Sequence, residues 1–133
     1  CIDLCPTEAI DLETRTLKSE KCISTFTIEL FKEDKVAPSG MERAKGEIFG
    51  CDICQDVCPW NKKPLQVDSK SLSLAKSLKE NSLLNFFLKR PKTTIKNDLE
   101  KMSNREFRRF FKGTAVERTG RKSLLKNINF WGH

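Results

Sequence analysis

Residues 51–59 read Cys51-Asp52-Ile53-Cys54-Gln55-Asp56-Val57-Cys58-Pro59, that is Cys-x-x-Cys-x-x-x-Cys-Pro. The N-terminal stretch Cys1-Ile2-Asp3-Leu4-Cys5-Pro6 repeats the final part, Cys-x-x-x-Cys-Pro. These intervals suit a four-iron cubane, which needs one thiolate per iron. A short loop can wrap Cys-x-x-Cys around one cluster, while the next cysteine, entering a helix, points away and reaches a second. The proline after it has no N–H and a fixed φ, which suits a first helical turn.

Six cysteines admit two other readings. Disulfides would need an oxidising compartment, and no basic-then-apolar segment opens the chain to suggest export. Structural zinc sites favour paired Cys-x-x-Cys knuckles or Cys/His pairs, whereas the single histidine is His133 at the chain end. Clusters are the favoured reading, with zinc and disulfides as rivals. Spacing then assigns the ligands. Cys51 and Cys54 act as second and third ligands of one cluster, and Cys22 is its first, displaced by residues 23–50. Cys5 crosses over from the other motif to complete the set. Cys1 and Cys58 serve the second cluster, so its two remaining ligands are expected upstream of Cys1. A lipid-modified Cys1 would leave Cys5-Pro6 without a purpose.

Around the cysteines, a helical turn is expected over 7–10 after Pro6. Ile10-Asp11-Leu12 and Thr16-Leu17 read as a hairpin, and short helices are expected over 25–31 and 41–49. Gly50 is read as allowing close backbone approach to a cluster or cofactor.

Charge divides the chain of 133 residues. Residues 1–60 hold 7 basic and 12 acidic side chains, and residues 61–133 hold 18 and 6. All six cysteines lie in the acidic part. The second part shows helical periodicity. Leu72, Leu74 and Leu78 form one apolar face, and Leu83, Leu84, Phe87 and Leu88 form another, which Pro91 ends. Ser103-Asn104-Arg105-Glu106 is a capping-box pattern. It precedes a core face of Phe107, Phe110 and Phe111, with Gly113 as a stop. Leu124, Leu125, Ile128 and Trp131 make the last face. Short helices with short loops predict antiparallel pairs. The expected fold is therefore α+β: a ferredoxin-like domain for two [4Fe–4S] clusters over residues 1–65, with little regular structure, then an all-α HEAT-like domain over 66–133.

The polar faces of that second domain carry Lys89, Arg90, Lys92, Lys96, Lys101, Arg105, Arg108, Arg109, Lys112, Arg118, Arg121, Lys122 and Lys126. Such an excess exceeds what solubility requires and points to a phosphate backbone, recognised by shape and charge. No apolar run approaches the ~18 residues of a membrane helix, so no membrane partner is expected.

Four blocks carry a family resemblance. They are Cys1-x-x-x-Cys5-Pro6-Thr7-x-Ala9-Ile10, Cys22-Ile23-Ser24-x-x-Thr27-Ile28-Glu29, Phe49-Gly50-Cys51-Asp52-x-Cys54-Gln55-x-Val57-Cys58-Pro59-Trp60-Asn61, and Phe107-Arg108-Arg109-x-Phe111-x-Gly113-Thr114. Together they resemble the epoxyqueuosine reductases across essentially the whole chain. The resemblance implies a cytoplasmic oxidoreductase with two [4Fe–4S] clusters and a cobalamin, which reduces epoxyqueuosine to queuosine in the tRNA anticodon. It further implies cluster ligation by Cys1, Cys5, Cys22, Cys51, Cys54 and Cys58, and places Ser24, Cys51 and Asp52 near the cobalamin. The family's cobalamin-binding domain, with its acidic proton donor, is expected upstream of this chain, so the fragment alone is expected to be inactive. A monomer served by a donor such as ferredoxin or flavodoxin is expected. Leu125-Lys126-Asn127 departs mildly from the family's Leu-x-Arg-Asn. The rival functions are an electron-transfer module of another oxidoreductase, a corrinoid reductive dehalogenase relative, and a zinc-dependent nucleic-acid binder.

Overall fold

A computed structural model describes residues 2–30, 35–61, 82–87 and 90–132. The acidic part is built mainly from turns fastened by side chains. After Pro6 the expected helical turn does not form, because Glu8 adopts φ 52° and breaks the right-handed run. The hairpin survives as one antiparallel bridge between Ile10 and Leu17. Asp11 Oδ1 accepts the N–H groups of Glu13 and Thr14 at 3.0 and 2.9 Å, an Asx turn. The bridge cannot extend, since Ser19–Lys21 turns into a 3-10 helix immediately afterwards. The strand content of an α+β fold is thus reduced, among the described residues, to this single bridge.

The short helix expected from residue 25 is a π-helix, Thr25–Glu29, closed by the Leu30 N–H on the Thr25 carbonyl at 3.1 Å. Such wide turns favour functional sites. The helix expected over 41–49 stops as a 3-10 turn, Met41–Arg43. Ala44 is extended at ψ 173° and Gly46 has φ 99°, so the right-handed run cannot continue. Helix α1, Ile53–Asp56, follows the second motif's first cysteine, and a 3-10 turn covers Pro59–Asn61.

The basic part contributes α2 (Ser82–Phe87), α3 (Lys92–Lys101), α4 (Asn104–Phe110), α5 (Ala115–Thr119) and α6 (Arg121–Phe130). Pro91 begins α3 as its N-cap. The face expected from Leu72, Leu74 and Leu78, together with Leu88, Lys89 and the side chains of Leu83 and Leu84, lies outside the described residues. The capping box forms as read: Glu106 N–H donates to Ser103 Oγ at 3.2 Å and Ser103 N–H to Glu106 Oε2 at 2.8 Å.

Two apolar clusters hold the molecule. Phe86, Ile95, Leu99, Phe107, Phe111, Leu124 and Ile128 form one, against which Ile48 and Phe49 pack. Ile23, Phe26 and Met41 form the other, flanked by Cys51, Phe130 and Trp131. Helix α6 therefore contributes to both, joining the helical part to the cysteine loops. Phe110, expected in the core, is 40% exposed. It rests on Phe86 and Phe111 with ring centroids 5.5 and 4.9 Å away, while Phe107 and Phe111 occupy the interior.

Candidate metal centre

Each cysteine loop is anchored by its neighbours. The turn after Cys5 aims the Ala9 N–H at Cys5 Sγ, 3.3 Å away, and the Thr7 hydroxyl lies 3.5 Å from the same sulfur. Gly40 has φ 89° and sits against the Pro6 carbonyl, where a Cβ would collide. Arg43 also donates to that carbonyl. The segment between the motifs is thus clamped onto the first motif. On the second motif, the Asp52 carbonyl accepts the N–H groups of Gln55 and Asp56, both at 2.8 Å, which starts α1 between Cys51 and Cys54. Asn61 Nδ2 returns to the Gln55 carbonyl and Oε1 at 3.1 and 2.8 Å, folding the Cys58-Pro59-Trp60 turn back on α1.

These loops bring four of the six cysteines together. Cys5, Cys22, Cys51 and Cys54 line one cavity of about 210 Å³, walled by Pro6, Ala9, Ile10, Leu17, Ile23 and Ile53. Ser24 and Asp52 line it too. Cys58 is not among its lining residues, and Cys1 lies outside the described residues. Among the described residues the five cysteines are half-buried free thiols.

The thiols are electrostatically unequal. Burial pushes Cys5 upward, but hydrogen bonds from the Thr7 side chain and from the backbone at Ala9, Thr7 and Glu8 outweigh it and leave Cys5 below the ordinary thiol value. Burial raises Cys51, and the charges of Glu47, Cys22 and Cys54 add to it against one backbone hydrogen bond at Ile53. The neighbouring sulfurs Cys22 and Cys54 thus disfavour the Cys51 thiolate, and a cationic occupant of the cavity would favour it.

A single tetrahedral zinc, with Zn–S near ~2.3 Å, would draw its sulfurs to within about 3.8 Å of each other. Among the described residues no three Cys, Asp, Glu or His side chains converge in that way. Four thiols that line one apolar cavity, one already receiving an N–H donor, could serve as the donor set of an iron–sulfur cluster.

Gly50, read as a close-approach glycine, is also required by its own backbone. Its φ is 76°, and a Cβ would meet only Ile28 Cδ1 at 3.7 Å. The left-handed backbone is what requires glycine. Its N–H donates to Thr27 Oγ1 at 3.1 Å.

Several cations counted from the sequence serve the fold. Lys126 Nζ donates to the carbonyls of Phe26 and Leu30 at 2.9 and 2.5 Å and lies 4.0 Å from the Phe26 ring centre. Burial lowers its pKa. It closes the C-terminal end of the π-helix and is not part of an exposed basic face. Arg121 donates to Asn104 Oδ1 and the Leu99 carbonyl at 3.0 and 3.2 Å. Arg118 pairs with Glu29, and Arg90 with Asp98. Arg105, Arg108, Arg109 and Lys112 are exposed on and after α4.

Thr27 and Asn127, quoted above only within stretches of family resemblance and given no role there, are both buried. Asn127 could have been found, as an amide set among Leu124, Leu125 and Ile128 on the apolar face of α6.

Residues 1–61 match the 4Fe-4S double cluster binding domain. An epoxyqueuosine reductase of Leadbetterella byssophila is 38% identical over 132 residues, 98% of this chain and 37% of that protein. One from Cyclobacterium marinum is 35% identical over 98% of this chain and 36% of its own length. This chain is similar to the epoxyqueuosine reductases over nearly its whole length. The similarity reaches the Escherichia coli K12 enzyme, 32% identical over 96% of this chain and 30% of that protein. The chain thus spans about a third of the length of the curated relatives it matches. No solved structure matches it. In this chain the stretch that matches the 4Fe-4S double cluster binding domain is followed by helices.

Proposed function

We propose that this chain is the cluster-bearing and tRNA-facing part of an epoxyqueuosine reductase, working in the cytoplasm. The observation that carries the reading is the common cavity of Cys5, Cys22, Cys51 and Cys54, the four residues whose spacing also groups them. In this reading they hold one [4Fe–4S] cluster in a ferredoxin-like wiring. Cys1 and Cys58 contribute to a second. When bound, the clusters supply single electrons and a corrin cobalt supplies the reduction of the epoxide.

The chain's own residues do the rest. Ile10, Leu17, Ile23 and Ile53 give the cavity an apolar wall, and the Ala9 N–H on Cys5 Sγ stabilises sulfur charge. Ser24 and Asp52 border the cavity beside Cys51 and are the candidates to face the cobalamin. The helices α3 to α6 form a HEAT-like scaffold, whose exposed arginines on α4 meet the phosphates of the anticodon stem-loop. Ferredoxin or flavodoxin is the class of donor that fits single-electron entry. The names of the relatives favour this reading over a plain electron-transfer module.

The test is reconstitution of the full-length protein with iron, sulfide and cobalamin under a strong reductant. Queuosine should form in tRNA bearing the epoxide. A preparation that contains both clusters and cobalamin but leaves the epoxide intact would overturn the proposal.

A further inference from the structure

The loops carrying Cys22 and Cys51 are far apart in sequence and share no strand pairing among the described residues. Two buried side chains join them. Thr27 Oγ1 donates to the carbonyl of Ile23, next to Cys22, at 2.9 Å. The same oxygen accepts the N–H of Gly50, next to Cys51, at 3.1 Å. Asn127 of α6 repeats the link one layer out: its Nδ2 donates to the Thr27 carbonyl at 2.8 Å and the Ile48 carbonyl at 2.9 Å. Both side chains are fully buried, and Asn127 Oδ1 has no protein partner. An amide held in an apolar face with its acceptor unsatisfied is costly, and core packing alone would favour leucine there.

We propose that Thr27 and Asn127 are positioning residues that set the separation of Cys22 and Cys51, so that α6 braces the metal site. This rests on the cluster reading above. The hydroxyl fixes backbone atoms one residue from each sulfur. A loosened hydroxyl bridge would let the two loops drift and expose the cluster between them. The Lys126 bonds to Phe26 and Leu30 fasten the same helix to the π-helix without touching either residue that flanks a cysteine, and so supply an internal control.

The experiment uses the full-length protein, purified anaerobically, with iron content, EPR of the reduced clusters and the rate of iron release to a chelator as readouts. Thr27→Val and Asn127→Ala are expected to change the EPR signature of one cluster and to speed its iron loss at least about tenfold, the scale of outer-shell effects on metal sites. Thr27→Ser, which keeps the hydroxyl, should match wild type. Lys126→Met should also keep the wild-type signature and release rate. Wild-type behaviour from both Thr27→Val and Asn127→Ala overturns the proposal. So does equal acceleration by Lys126→Met, which would mark a general loss of stability. If Thr27→Val does not fold, Asn127→Ala decides alone. A wild-type protein without iron or acid-labile sulfide would instead sink the underlying cluster reading.

Discussion

At the scale of single residues, the cavity assigns unequal work to cysteines that look alike in sequence. Cys22 borders the shared cavity and Cys58 does not, so under the proposed wiring the two belong to different clusters. In the full-length protein, Cys22→Ser and Cys58→Ser should each lower iron by about half, the share of one of two four-iron clusters. The double variant should hold almost none. Equal iron in the double and the single variants, by iron assay, would mean both cysteines serve one cluster. Gly40 makes a second case. Its left-handed φ and the Pro6 carbonyl beside it leave no room for a methyl. Gly40→Ala should destabilise the protein by more than ~1 kcal/mol, read as a lower urea midpoint, while Gly113→Ala, which meets no neighbour, should cost less. The cysteine grouping was legible because ligand intervals are a property of the chain. The Thr27 and Asn127 bridges were not, because a buried hydrogen bond between residues 100 apart leaves no periodic trace.

At the scale of elements, local chemistry decided which expectations became structure. The Ser103–Glu106 box formed because both partners lie within one helical turn. The run over 41–49 has helical hydrophobic spacing, yet it stops at Arg43 with Ala44 extended, and Gly46 at φ 99° keeps it from resuming, so periodicity lost to backbone preference. The α4 phenylalanines show the same limit: helical spacing brought all three to one side, but only Phe107 and Phe111 point inward. Phe111→Ala should therefore cost ~3–5 kcal/mol as a buried ring, and Phe110→Ala clearly less, both by denaturant titration. The capping box predicts a pH effect. Hydrogen bonds from the Ser103 hydroxyl and N–H hold the Glu106 carboxyl below its usual value. A depressed carboxyl stabilises above the unfolded value of ~4.3 and loses that contribution as pH falls through the folded value. Ser103→Ala should cost ~1 kcal/mol at neutral pH and less at acid pH, once the pH has fallen through the folded value. An identical penalty at neutral and acid pH would show that Glu106 has no part in the cap.

At the scale of the whole molecule, the uneven charge of the chain becomes a question of which cations remain available to a polyanion. Residues 61–133 carry 18 basic side chains against 6 acidic ones, which overstates the basic face. Lys126 is turned inward onto carbonyls, and Arg121 ties α6 to the end of α3 and the start of α4. Arg108 and Lys112, on and just past α4, are exposed. If that face meets tRNA, each phosphate it neutralises should contribute about 0.7–0.9 to the slope of log affinity against log salt. Arg108→Gln with Lys112→Gln should then flatten the slope by that amount for each phosphate left without its cation, and weaken binding most at low salt. Arg121→Gln and Lys126→Met remove the same formal charge from residues already engaged with the protein. They should lower the urea midpoint while leaving the slope near that of wild type. A slope that tracks total charge alike in all of these variants would mean that tRNA senses only net charge, and the α4 surface would lose its claim to be the docking face.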